Sequence, residues 1–203
     1  MIASLAFGLA AAGAVQADQP ESTPEARVAL DAFSQCIADR SPDFAAQTLD
    51  EDFRSNTYEN RLRHVTRVNE DCFRGSGGRN RMRSGGLLIA GGMAERLLER
   101  NPAAVNVQLA HAASRPAPSG RTPAEGVALC VVRSTPDDVA RLFSTDVASE
   151  AETPALRTLQ PVVSLCNQSG PALQVSDAGL RAILATAAFR TVRTDAPTRE
   201  ARN

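Results

Sequence analysis

Two stretches decide the fold: Cys36-Ile37-Ala38-Asp39-Arg40-Ser41-Pro42-Asp43 and Cys130-Val131-Val132-Arg133-Ser134-Thr135-Pro136-Asp137, each with a second cysteine 36 positions after its first, at Cys72 and Cys166. Shifting the chain by 94 residues superposes the two without a gap, and ten of the 37 aligned positions are identical. They are the cysteines, Pro42/Pro136, Asp43/Asp137, Ala46/Ala140, Asp52/Asp146, Ser55/Ser149, Leu62/Leu156, Arg63/Arg157 and Val68/Val162. Composition alone would give about three, so the pattern reads as an internal duplication.

Both copies read as helices. Thr23-Pro24-Glu25 and Thr122-Pro123-Ala124-Glu125 place threonine at an N-cap and proline at the first helical position, where its missing N–H costs nothing. Val28, Ala32 and Cys36, flanked by Ala29, Phe33 and Ile37, recur at helical spacing and predict that Cys36 faces the core. Ser41-Pro42-Asp43 restarts the pattern with a serine cap and an aspartate suited to the positive end of the helix dipole. A third helix, with Asn56 and Glu59 as a capping box, runs through Leu62, Val65 and Val68 to Cys72. A fourth begins between Arg81 and Leu87 and carries Leu88, Met93, Ala94, Leu97 and Leu98. In the second copy, Thr153-Pro154 caps the third helix and Ser176-Asp177 leads into the fourth. Val127 to Val132 is short enough to be a strand, but its counterpart around Cys36 is helical in pattern, so a helix is expected here too.

The expected architecture is all-α: two tandem copies of a roughly four-helix, disulfide-stapled unit, packed as a pseudo-two-fold pair. Residues 23–112 form the first repeat, 113–121 a Pro/Gly linker, 122–192 the second repeat and 193–203 a flexible tail. Four cysteines allow three pairings. Equal spacing favours Cys36–Cys72 with Cys130–Cys166, although Cys36–Cys130 with Cys72–Cys166 satisfies the same symmetry.

The compartment follows from the cysteines and the N-terminus. Met1 to Ala17 is apolar, ends in Val15-Gln16-Ala17 and reads as a secretory signal, although it has no basic residue before its apolar run. Residues 18–22 read as a disordered mature N-terminus. A periplasmic or secreted protein with structural disulfides is expected, with no transmembrane segment in the mature chain.

Composition narrows the function. The net charge of −1 gives no global attraction to nucleic acid. The chain contains no lysine, which rules out Schiff-base chemistry and a P-loop lysine, and tryptophan is absent. No cofactor is implied. No C-x₂-C pair exists, so neither a zinc site nor a thioredoxin-like centre is expected.

Two local constellations invite a chemical reading. His64 and Cys72 lie eight residues apart on the expected third helix, about 12 Å along its axis, too far for proton transfer; the second copy has Thr158 in place of His64. His111 lies near the linker without an identifiable partner. Arg74, Arg79, Arg81 and Arg83, interleaved with glycines, could fork onto an anion or a partner, although a solvated loop is the plainer reading. Asp52/Asp146 and Arg63/Arg157 suggest an ion pair between loop and third helix, repeated once per copy.

No catalytic residue is assigned. The leading expectation is a non-enzymatic envelope interaction or structural protein, with an envelope protein as its partner. The alternatives are a small hydrolase-like enzyme whose site forms only in the fold, or a binder of a small apolar ligand between the repeats. Convergent ionisable groups in one copy would favour the enzyme, and an apolar cavity between the copies would favour the binder.

Overall fold

The computed structural model describes residues 23–75, 86–168, 170 and 173–193. These form ten helices and no strand. The first half carries α1 (Pro24–Arg40), α2 (Pro42–Asp50), α3 (Asn56–Val68), α4 (Glu70–Gly75), α5 (Gly86–Glu99) and α6 (Val105–Ala113). The second carries α7 (Pro123–Ser134), α8 (Pro136–Phe143), α9 (Glu152–Cys166) and α10 (Asp177–Arg193). The expected signal segment, residues 18–22 and residues 194–203 of the expected tail lie outside the described residues. Val127 to Val132 is helical, within α7.

The helix starts follow from capping chemistry, with corrections. The Thr23 and Thr122 hydroxyls accept from the Ala26 and Glu125 N–H groups. Ser55, not Asn56, caps α3, accepting from the Tyr58 N–H. α9 begins at Glu152 with no side-chain cap, so Thr153-Pro154 lies inside its first turn. Ser41 and Thr135 hold N-cap positions without capping. The Ser41 hydroxyl bonds Asn69 instead, and that of Thr135 donates back to the Val131 carbonyl.

The expected third helix is interrupted at Asn69, whose buried amide donates to the Val65 carbonyl and the Ser41 hydroxyl. The interruption turns Cys72 into the core while Val68 stays exposed. Before the expected linker, the end of the first repeat folds into α6 with Leu109 and Ala112 buried. Arg193 belongs to α10 and pairs with Asp50 at 2.7 Å, so the ordered chain extends past the expected boundary.

At the centre, α5 lies between α1 and α10, and α10 also packs on α7. Two glycines permit this. A Cβ on Gly91 would stand 2.6 Å from the Ala182 backbone of α10, and one on Gly92 would stand 2.7 Å from the Ser34 Cβ of α1. Small residues thus let three helix backbones approach more closely than branched side chains would allow. α1 buries Leu30, Phe33, Ile37 and Ala38, while Val28 and Ala32 face solvent. The expected apolar stripe is therefore displaced around the helix, because α5 docks on the Leu30–Phe33–Ile37 face.

Both disulfides pair within their half. Cys36–Cys72 and Cys130–Cys166 have Cα–Cα distances of 5.7 and 5.8 Å, within the ordinary range. Their settings differ: Cys72 is buried and Cys36 half-buried, but Cys130 is exposed. The expectation that Cys36 faces the core is met in part, since Cys36 is half-buried against the buried Cys72. No described helix is long and apolar enough to cross a membrane.

Candidate functional site

The residues singled out from sequence do not converge. Arg79, Arg81 and Arg83 lie outside the described residues. Arg74 is exposed and pairs with Asp71 on its own short helix. Asp52 pairs with Arg54 at 2.8 Å and Arg63 with Glu59 one turn earlier at 2.8 Å, so the expected Asp52–Arg63 bridge does not form. Neighbours in sequence reach these charges without the entropy cost of a long-range pairing. His64 is exposed with its ring 5.2 Å from that of Phe44, and Cys72 is oxidised, so no Cys/His pair exists. His111 is exposed beside Arg115. No group of three or more metal-type ligands occurs among the described residues.

Two other places draw side chains from both halves. The first is a buried charge cluster. Arg181 of α10 grips Glu95 of α5 through Nε at 2.9 Å and Nη2 at 2.7 Å, and reaches Glu152 of α9 at 3.2 Å. It also donates to the Thr145 carbonyl at 2.9 Å. Glu152 in turn accepts from Arg27 of α1 at 2.7 Å and from the Ala148 N–H at 3.1 Å. Ala148 holds a left-handed φ of 60°, a conformation that costs a non-glycine residue roughly 1–2 kcal/mol and aims this N–H at the carboxylate.

Burial dominates the electrostatics of this cluster. It pushes the Glu95 carboxyl up to about 7, with the bonds from Arg181 offsetting only part of the desolvation. Burial also raises the nearby Asp31 carboxyl, against the opposing field of Arg181. Arg181 is itself held down by burial, but Glu95 and Glu152 outweigh this and raise it. The adjoining cavity, between Asp31, Gly91, Glu95 and Arg181, has a volume of about 40 Å³. That is room for a water molecule or two, and the charges around it are engaged with one another.

The second place is a larger cavity of about 240 Å³ between the halves. Leu49, Phe53, Tyr58, Leu87 and Ala90 contribute from the first half, and Ala124, Ile183 and Thr186 from the second. Phe53 and Leu87 are each about two-fifths exposed, leaving apolar surface at the mouth. The polar part of the lining is Glu51, Arg121, Thr122, Glu125 and Arg190. Arg190 pairs with the buried Glu125, whose other oxygen accepts from the Arg121 N–H at 2.6 Å. Glu51 pairs with Arg61 at 3.2 Å. The Arg121 guanidinium donates to the Asp50 and Glu51 carbonyls at the end of α2. Its pKa is lowered, mainly by burial and then by the like charge of Arg190. Burial raises the Tyr58 phenol, with the field of Arg121 acting in the opposite sense.

These residues were missed in the sequence for different reasons. Arg181 carried a faint signal, a lone charge within an apolar helical run, whereas Glu95 is followed directly by Arg96 and did not stand out. Tyr58 and Arg121 carried none, because the cavity exists only where α2, α3, α5, α7 and α10 meet. The chain matches no protein-family model, no curated protein and no solved structure.

Proposed function

We propose that the protein is an exported, non-enzymatic envelope module, built from two copies of one disulfide-stapled helical unit, that binds a small ligand with an apolar body in the cavity between them. One observation carries the reading: the 240 Å³ cavity takes its walls from both halves and opens beside the exposed Phe53 and Leu87. An apolar cavity of about 150 Å³ already accepts benzene, so this one suits a somewhat larger molecule. The two disulfides support export, and the ten matching positions support duplication. The Arg181 cluster lends the hydrolase alternative no support, because its charges pair with one another beside a water-sized space.

The test is titration of the oxidised protein with the uncharged fluorophore N-phenylnaphthylamine. Saturable binding of one dye per chain, lost in Ala124→Phe, which narrows the cavity, and retained in Val107→Ala on the remote exposed face of α6, supports the proposal. Absence of saturable binding to the wild-type protein refutes it.

A further inference from the structure

We infer that the cavity ligand is a small apolar anion, such as an acyl or aryl carboxylate, whose charged end sits against Arg121 and the Tyr58 hydroxyl. The inference rests on the proposed cavity binding and adds the ligand's charge. Around the polar wall, four carboxylates each have their own arginine: Asp50 with Arg193, Glu51 with Arg61, Asp52 with Arg54 and Glu125 with Arg190. Arg121 is a fifth arginine. It forms no ion pair among the described residues, and its guanidinium bonds go to neutral backbone carbonyls alone.

Arg121 stands half-buried beside a second guanidinium without a direct ion pair, and burial, then Arg190, lowers its pKa against the fields of Glu125, Asp52 and Asp50. An arriving carboxylate would supply that direct pair through the strong, directional bonds that guanidinium favours. Tyr58 supplies a second donor. Its hydroxyl has no hydrogen-bond partner among the described residues, it lines the same cavity, and it feels the Arg121 charge. The apolar part of the lining, from Phe53, Leu87, Ala90 and Ile183, fits a hydrocarbon body.

Three probes of equal chain length separate charge from apolarity: octanoate, octanol and octylamine, each measured by displacement of N-phenylnaphthylamine at pH 7. Octanoate is expected to bind about tenfold more tightly than octanol, the increment of one charge-assisted contact, and octylamine most weakly. Tyr58→Phe and Arg121→Gln should each reduce the octanoate-to-octanol preference to about threefold or less. Because Arg121 also ties down the end of α2, circular dichroism checks that variant's fold, and Tyr58→Phe carries the test if it unfolds. Equal binding of octanoate and octanol, or preference for octylamine, overturns the anion inference while leaving the apolar cavity in place. A preference that survives Tyr58→Phe and a folded Arg121→Gln also overturns it. If none of the three displaces a dye that binds saturably, the anion inference falls while the cavity-binding reading, tested by the dye itself, stands.

Discussion

Arg181 and Glu95, 86 residues apart in sequence, face each other across the α5–α10 interface through Nε and Nη2 and are both almost fully buried. The pair joins the two halves at the place where Gly91 and Gly92 bring the central helices together. Desolvating two charges costs several kcal/mol apiece, so the pair's value lies in fixing which surfaces meet rather than in net stability.

That account predicts a non-additive mutant cycle. Glu95→Leu alone strands the Arg181 guanidinium with Glu152 and Thr145, and Arg181→Leu alone strands Glu95. Each single change should cost about 3–5 kcal/mol. The double replacement removes both charges and should cost less than either single change, because it leaves no uncompensated ion. Urea denaturation of the four proteins measures this. Additive losses would mean that the charges act independently, and would remove the argument.

The pH dependence of stability has a definite sign. Glu95 has an ordinary pKa near 4.5 when unfolded and about 7 when folded, so between these values the folded state holds a proton that the unfolded state releases. Stability therefore falls as pH rises through this window, by an amount on the order of 1–3 kcal/mol. The groups facing Glu95 are Arg181 from α10, Asp31 from α1 and Glu99 on its own helix, with Arg27 and Glu152 reached through Arg181. Asp31, also raised, contributes in the same sense. The carboxylates lowered by their partners, Asp39, Asp52 and Asp71, lose their contribution at lower pH, outside this window. Thermal melts at pH 5 and pH 7.5 should show a drop of several degrees in the wild-type protein. Glu95→Gln, neutral throughout, should show a clearly smaller drop. An equal drop in both proteins would assign the slope to other groups.

Helix content was legible in the sequence because caps and four-residue apolar spacing are local properties, and the cysteine pairing was favoured by the equal spacing in the two copies. The facing of α1 was not: Val28-Ala32-Cys36 and Leu30-Phe33-Ile37 are both apolar lines on one helix, and only the docking of α5 selects the second. The break at Asn69 was hidden because its stabilising partner, Ser41, lies 28 residues away. The same limit concealed the cavity. Its walls come from five helices, and the charge that distinguishes Arg121 is visible only after every neighbouring carboxylate has been matched to an arginine.

The two disulfides, equal in span, should differ in what they protect. Each closes a loop whose chain-entropy contribution is about 3–4 kcal/mol, but their helices depend on them unequally. Cys72 lies in the six-residue α4, which is too short to persist alone and is otherwise tied to α1 through the edge-on Phe33–Phe73 contact at 6.1 Å. Cys166 ends the 15-residue α9, which is anchored independently by the buried Leu156, Leu159 and Val163. Replacing Cys36 and Cys72 with alanine should therefore abolish amide-exchange protection in α4. The same change at Cys130 and Cys166 should lower global stability while α9 stays protected up to Val163. Exposure reinforces the difference: Cys130 is open to solvent and Cys72 is not, so mild reductant should open Cys130–Cys166 first under native conditions. Mass spectrometry of partially reduced, alkylated protein reads that order directly, and equal or reversed rates would show that access does not control it.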